Sequence, residues 1–146
     1  MPNVTYSFSS GTRIQSSQVN QNFTDLVNGI KPTFVFTITG GLVTGTSLTP
    51  TLIVHSTLTI IQAYAYVKTV NTGASLIIDI NKNGTSIWNV TQANRLTIAA
   101  SDADHYATQT SFDTTSLAEG DLLTLDIDTI GSTIPGSDLT VELRCQ

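Results

Sequence analysis

Short runs of alternating apolar and polar residues, separated by turn residues, fill the chain from residue 33 onward. The clearest pair lies on either side of Asn83-Gly84, at residues 76–81 and 85–88. Asn-Gly between two alternating runs is the strongest short-range signal for a β-hairpin, because both central turn positions need positive φ angles. A period of two also places every second side chain on the same face of a strand. The pattern therefore predicts antiparallel β-structure for this part of the chain.

Further alternating runs bring the β-region, residues 33–146, to about eight short strands with regular turn signals. These runs lie at residues 34–38, 52–54, 58–70, 96–98, 110–112, 122–128 and 139–143. Residues 101–108 carry no such pattern and are predicted to form a loop. Many short antiparallel strands are typical of a sandwich, so we predict a mainly β fold with a jelly-roll β-sandwich.

The run at residues 58–70 is the longest, and its two faces differ in character. One face is predicted to carry Ile61, Ala63, Ala65 and Val67, and the other Ile60, Gln62, Tyr64, Tyr66 and Lys68. Two tyrosines on one face suit a partly exposed sheet or an interface, because a tyrosine side chain has an apolar ring and a polar end.

The composition excludes several classes of function. Only 12% of the 146 residues are charged, against about 25% in typical soluble domains. The formal net charge is −5, which leaves no basic surface for nonspecific nucleic-acid binding or for anionic lipid. No apolar run approaches the ~20 residues of a membrane helix, and the first residues lack the regions of a secretory signal. We expect a protein made in a cytoplasm that binds neither nucleic acid nor membrane.

The single cysteine, Cys145, excludes a disulfide within the chain. It is the penultimate residue, where we do not expect a packed core. Its thiol is therefore either a bystander or the partner of its own copy in another subunit.

Residues 1–31 are predicted to form a separate N-terminal arm with a short strand at residues 6–8 and one helix. A serine hydroxyl at residue 16 or 17 is expected to cap the helix, and Gly29 and Pro32 supply stop signals. Apolar residues recur along it at spacings of four, three and four, namely Val19, Phe23, Leu26 and Ile30. This stripe is too short for a stable isolated coiled coil. It either packs on the sheet of its own chain or serves oligomerisation or docking.

No constellation in the sequence is specific for catalysis or for a metal. Residues 79–84 match the first half of a calcium-binding EF-hand loop, but Val90 stands where a bidentate glutamate is required. The hairpin explains the same residues. Asp102, Asp104 and His105 are residues of the types that bind metals, and they lie close together in the sequence. They leave a metal-dependent enzyme as one further hypothesis. We expect no enzyme activity, no cofactor and no metal.

Exposed aromatic residues next to polar side chains are the usual platform for a sugar ring. Trp88, Tyr64 and Tyr66 are the aromatic residues best suited to that role, and Trp88 has Asn89, Gln92 and Asn94 nearby in the sequence. The structural explanation, a core or edge tryptophan beside the hairpin, is the one we favour for Trp88.

Two parts of the chain resemble proteins of phage particles. Residues 6–23, YSFSSGTRIQSSQVNQNF, are similar to the F-x-x-G-T-x-I-x-A-x-x-V-N-x-N-F openings of many small structural proteins of tailed phages. Residues 74–88, ASLIIDINKNGTSIW, and residues 110–143 with SLAEGDLLTLDID resemble jelly-roll modules of phage fibres and capsid-surface proteins. In the proteins that the opening resembles, a short strand and helix attach or trimerise a β-domain.

The resemblance implies a non-enzymatic virion protein, a capsid decoration protein or a short head fibre, that forms a homotrimer. Its partners would be its own copies and the major capsid protein or another virion protein. The stripe Val19, Phe23, Leu26 and Ile30 would form the trimer stem or dock to the capsid. The alternative is a tail-fibre or carbohydrate-binding jelly roll that recognises glycans of the host surface through Trp88, Tyr64 and Tyr66.

Overall fold

The computed structural model describes residues 5–11, 13–29 and 32–146. Its contacts divide the chain into two compact units, residues 1–32 with Gln146 and Thr33–Cys145. The first unit contains one helix, α1 (Ser16–Gly29). The second contains a short 3₁₀ turn at Gln92–Asn94 and ten strands. The strands are β1 (Thr33–Gly41), β2 (Leu52–Ile53), β3 (Leu58–Thr69), β4 (Leu76–Lys82), β5 (Thr85–Ser86), β6 (Leu96–Ile98), β7 (Tyr106–Gln109), β8 (Ser116–Leu117), β9 (Leu122–Thr129) and β10 (Ser137–Cys145).

The strands form two antiparallel sheets with the connectivity of a jelly roll. Sheet A has the order β1-β10-β3-β7, and β8 pairs with the first residues of β3. Sheet B has the order β2-β9-β4, and β5 and β6 share the remaining edge of β4. When β5 and β6 count as one position, the two orders are those of paired Greek keys. The predicted mainly β jelly-roll sandwich after a short helix is confirmed.

The core between the sheets consists of the inward-facing residue of each alternating pair. In β9, Leu123, Leu125 and Ile127 are buried, as their spacing predicts. The facing strand β10 contributes Leu139, Val141, Leu143 and Cys145. Because inward positions are apolar on both sheets, the outward positions are left for polar and aromatic side chains.

The Asn83-Gly84 turn joins β4 and β5 as predicted. The φ angles are 51° at Asn83 and 80° at Gly84, the values that a two-residue hairpin turn requires. The side chain of Asn83 also connects the turn to its neighbour: its Oδ1 accepts from the backbone N–H of Leu122 at 2.9 Å, and its Nδ2 donates to Asp121 at 2.7 Å. Strand β5 ends at Ser86, earlier than predicted, because Ile87 and Trp88 turn into the core.

The alternation predicted for the longest strand is reversed at its start. Ile60 is buried, whereas Ile61 is only half-buried. The reason is a β-bulge: β10 pairs Arg144 with Gln62 and the adjacent Cys145 with Ile60, so Ile61 is an extra residue in β3. One extra residue moves the side chains that precede it to the opposite face.

The predicted strand at residues 110–112 does not form, and β7 occupies the end of the predicted loop instead. The side chain of Gln109 explains where β7 stops. Its Oε1 accepts from the backbone N–H groups of Thr110 and Ser111, both at 2.9 Å. These two donors therefore bond locally rather than to a neighbouring strand.

In the first unit, the segment before α1 runs beside the helix rather than as a strand. The backbone N–H of Tyr6 donates to Oδ1 of Asn22 at 2.9 Å, and Nδ2 of Asn22 donates to the Tyr6 carbonyl at 2.8 Å. These bonds use the groups that a strand at residues 6–8 would need. At the start of α1, Gln18 Oε1 accepts from the Gln15 N–H at 3.1 Å, so this contact comes from an amide rather than the expected serine hydroxyl.

Candidate functional site

An apolar stripe on α1 is the first candidate surface. Phe23 and Leu26 are 63% and 45% exposed, and Val19 is half-buried. Ile30, the fourth predicted member, lies outside the described residues. The structure therefore brings Val19, Phe23 and Leu26 onto one helix face and leaves that face largely uncovered.

Phe8 joins this stripe, which the sequence did not predict. Together with Val19, Asn22, Phe23 and Leu26 it lines a depression of about 260 Å³. The hydrogen bonds between Tyr6 and Asn22 hold the preceding segment against the helix and so place Phe8 beside it. We call Phe8, Val19, Phe23 and Leu26 the arm face.

An aromatic groove on the outer face of sheet A is the second candidate. Strands β10, β3 and β7 lie side by side there, and the groove has a volume of about 330 Å³. The lining residues are Tyr64, Ala65, Tyr66, Tyr106, Thr140, Glu142 and Arg144. The groove thus contains Tyr64 and Tyr66, two of the three predicted sugar contacts.

The register of the strands explains how these side chains meet. Tyr66 lies opposite Tyr106 on β7 and opposite Thr140 on β10. Tyr64 lies opposite Glu142. Neighbouring positions of an antiparallel pair place side chains ~5 Å apart on the same face, so the pairing alone assembles the groove.

Charged groups of both signs border the tyrosines. The Arg144 guanidinium lies 5.8 Å from the centre of the Tyr64 ring, a cation–π distance. Its Nη1 is 3.4 Å from the Tyr64 hydroxyl and 3.5 Å from Oε1 of Gln62. The exposed carboxylate of Glu142 forms no hydrogen bond or ion pair with any residue that the structure describes. The groove therefore offers donors and acceptors that protein partners use only in part.

Sequence reasoning missed Tyr106, Thr140, Glu142 and Arg144. Tyr106 fell within the predicted loop, although Tyr106, Ala107 and Thr108 alternate as a short strand would. Thr140, Glu142 and Arg144 occupy the outward positions that alternate with Leu139, Val141, Leu143 and Cys145. Their alternation was visible, but only the sheet order reveals that β10 lies next to β3.

Trp88 does not belong to the groove or to any surface, which corrects its predicted role as a sugar platform. Its side chain is fully buried and stacks on Phe112 with ring centres 5.5 Å apart. The indole N–H donates to the carbonyl of Ser111 at 2.8 Å. Because the ring is enclosed and its only donor is occupied, Trp88 is a core residue.

The loop that carries Asp102, Asp104 and His105 has a structural role. Oδ1 of Asp102 accepts from the Asp104 N–H at 2.9 Å, and Nδ1 of His105 lies 3.2 Å and 3.1 Å from the carbonyls of Val67 and Lys68. These contacts shape the turn before β7. Within residues 5–11, 13–29 and 32–146, no three His, Cys, Asp or Glu side chains are arranged so that they could hold one metal ion.

A polar network covers the outer face of sheet B around Asp79. Asp79 is buried and accepts from the hydroxyl of Ser86 at 2.7 Å, while Asp126, directly opposite, accepts from Nδ2 of Asn81 at 2.7 Å. Asp128 pairs with Arg95. Burial raises the pKa of Asp79, and the nearby carboxylates of Asp128 and Asp126 act in the same direction. Each carboxyl of the network has a structural partner.

Cys145 is buried at the end of β10, contrary to the expectation that the penultimate residue lies outside a packed core. Burial raises the pKa of its thiol to about 11. A buried, protonated thiol is a poor nucleophile, and it is not accessible to a second subunit in this fold.

None of the helical segments that the structure describes has both the length and the apolar character needed to cross a membrane. No family model matches the chain, and a search of curated proteins found no match either. The arm face and the aromatic groove are therefore interpreted from their own residues.

Proposed function

We propose that this chain is a non-enzymatic structural protein of a tailed-phage virion, a capsid decoration protein or short head fibre that assembles as a homotrimer through its N-terminal arm. It would be made in the host cytoplasm and carried on the particle. The single observation that carries the proposal is the uncovered arm face, where Phe23 is 63% and Phe8 is 42% exposed. The phage-like opening at residues 6–23 and the jelly-roll fold support it.

A second copy of the chain is the occupant that best fits the arm face. A helix of 14 residues is only marginally stable alone in water. Isolated helices of up to ~12–15 residues form too few hydrogen bonds to offset the free energy of nucleation. The spacing from Val19 to Phe23 to Leu26 is that of a coiled-coil seam, which copies of the same helix fill from both sides. Cyclic symmetry closes such a contact at a fixed number of copies, and the resemblance favours three.

The rest of the molecule suits a passive role on a particle. The β-domain has a continuous apolar core, and only 12% of the residues are charged. The major capsid protein or another virion protein would anchor the trimer, and neither nucleic acid nor membrane would be bound.

Light scattering tests the trimer. The full chain, of 15.6 kDa, is expected to show three times that mass, and a protein that starts at Thr33 is expected to be monomeric. The double variant Phe23→Gln, Leu26→Gln should lose the trimer, because glutamine keeps helix propensity but removes the apolar contact. The matched control is Ile14→Gln, which changes an apolar residue of the arm that is 55% exposed and lies outside α1.

Two results would contradict the assignment of the arm. A natural chain that is monomeric at all concentrations would remove the homotrimer. A trimer that survives both the truncation and the double variant would move the contact to the β-domain.

The virion location needs its own test. Antibodies against residues 33–146 should label phage particles from a producing culture at regular positions in electron micrographs. Mass spectrometry of the purified particles should find the chain in stoichiometric amounts. Its absence from particles of a culture that makes it would overturn the virion role.

A further inference from the structure

We propose that the aromatic groove of sheet A binds a neutral saccharide, with Tyr66 and Tyr106 as the stacking platform and Glu142 and Arg144 as hydroxyl-binding groups. The inference adds a ligand to the function proposed above and does not depend on the arm. Tyr64 and Tyr66 line the groove, as the carbohydrate-binding alternative predicts, and Tyr106 takes the role predicted for the buried Trp88.

The first step is the exposure of two adjacent aromatic rings. Tyr66 and Tyr106 are 50% and 51% exposed, and they face each other across the β3–β7 pair. Thr37 and Thr108, two other outward positions of sheet A, carry only small hydroxyl side chains. On β1, Val35 is 47% exposed opposite Glu142. Two half-exposed rings at opposite positions of neighbouring strands offer apolar surface whose burial a ligand would find favourable. The His105 ring stacks beside Tyr66, with ring centres 6.3 Å apart.

The second step is the chemistry around the rings. The Glu142 carboxylate has no partner among the described residues, and the Arg144 guanidinium reaches only the weak contacts with Tyr64 and Gln62. A carboxylate accepts and a guanidinium donates through two atoms in one plane. Each can therefore bond two adjacent hydroxyl groups.

A pyranose ring matches both features. Its C–H groups form an apolar face that packs on an aromatic ring, and its hydroxyl groups lie around the edge. A volume of about 330 Å³ is at the small end of the ~300–1,000 Å³ typical of ligand sites, which suits a short glycan. One positive and one negative group in the groove favour a neutral sugar over an anionic one.

The test follows backbone amides of the full, isotope-labelled chain by NMR while methyl glycosides of glucose, galactose, mannose and N-acetylglucosamine are added. Dissociation constants of the order of 1 mM are expected for single rings, because so few atoms make contact. At least one glycoside should give saturable shifts confined to β3, β7 and β10. Tyr106→Ala and Glu142→Gln should each weaken binding at least tenfold, whereas Tyr6→Ala, a tyrosine of the arm that is 39% exposed, should leave it unchanged.

Several outcomes would overturn the proposal. One is the absence of saturable shifts with all four glycosides. Another is binding that Glu142→Gln leaves intact, since this variant preserves shape and fold. Shifts of the groove residues that depend on protein concentration without sugar would assign this face to a second copy of the chain. None of these results would alter the mass measurements that test the arm.

Discussion

Trp88 illustrates how much a single side chain contributes when it is enclosed on every side. We expect Trp88→Ala to lower the free energy of unfolding by about 3–5 kcal/mol, the usual loss for a large aromatic residue in a core. The variant removes the packing on Phe112 and leaves the Ser111 carbonyl without its donor. Urea unfolding followed by far-UV circular dichroism measures the change, since the variant has no tryptophan left to report by fluorescence.

Val90 provides the control for this prediction. It lies two residues away and is 80% exposed, so Val90→Ser should change the free energy of unfolding by less than about 0.5 kcal/mol. Equal effects of the two substitutions would show that Trp88 is not enclosed.

Two aspartates are expected to give opposite pH dependences of stability. The Ala118 N–H, Lys82 and Asn83 lower the pKa of Asp121 to about 2, so its contribution is present above the ordinary pKa of 3.8 and disappears as the pH falls through about 2. Burial raises the pKa of Asp79, so protonation of Asp79 favours the folded chain as the pH falls through that raised value.

The variants Asp121→Asn and Asp79→Asn separate these effects in urea unfolding between neutral and acid pH. Asp121→Asn should destabilise the chain most at neutral pH, and the difference should shrink below the ordinary aspartate pKa. The free energy of unfolding of Asp79→Asn, relative to that of the natural chain, should be highest at neutral pH, where the natural chain carries a buried charge. This relative stability should fall on acidification, as Asp79 of the natural chain becomes protonated. The same sign of pH dependence in both variants would refute the assignment.

The β4–β5 hairpin depends on a glycine at the second position of its turn. Gly84 has a φ angle of 80°, and a Cβ there would meet no atom within 4 Å. Gly84→Ala should therefore cost about 1–2 kcal/mol through backbone strain alone. Gly41→Ala is the matched control, because its φ is not positive and its surroundings are equally open. We expect a change below ~0.5 kcal/mol for this control in the same unfolding assay.

Features that depend on neighbouring residues could be predicted from the sequence, and features that depend on pairing between distant segments could not. The hairpin and β9 were predictable, because turn chemistry at Asn83-Gly84 and alternation at Leu123, Leu125 and Ile127 are local. The face of Ile61 was not predictable, since its bulge exists only against β10. The groove was half predictable for the same reason: Tyr64 and Tyr66 share a strand, but Tyr106 and Glu142 reach them through pairing between distant segments.

At the scale of the whole molecule, we expect the arm and the β-domain to open independently. The two form separate compact units, and only the arm face is proposed to require other copies. Hydrogen exchange read by mass spectrometry should therefore show protection of α1 (Ser16–Gly29) that rises with protein concentration. Protection of β3 and β10 should not depend on concentration. Concentration-dependent protection in both units would contradict this independence.

The position of β10 determines when sheet A can be completed during synthesis. Residues 137–145 lie between β1 and β3, and the first residue of β1, Thr33, pairs with Arg144. A ribosome makes β1 and β3 long before their common neighbour. Each growing chain therefore exposes two unpaired strand edges, the template on which chains pair wrongly with one another. A cell that makes many copies at once must either shield these edges with chaperones or complete each chain faster than two of them meet.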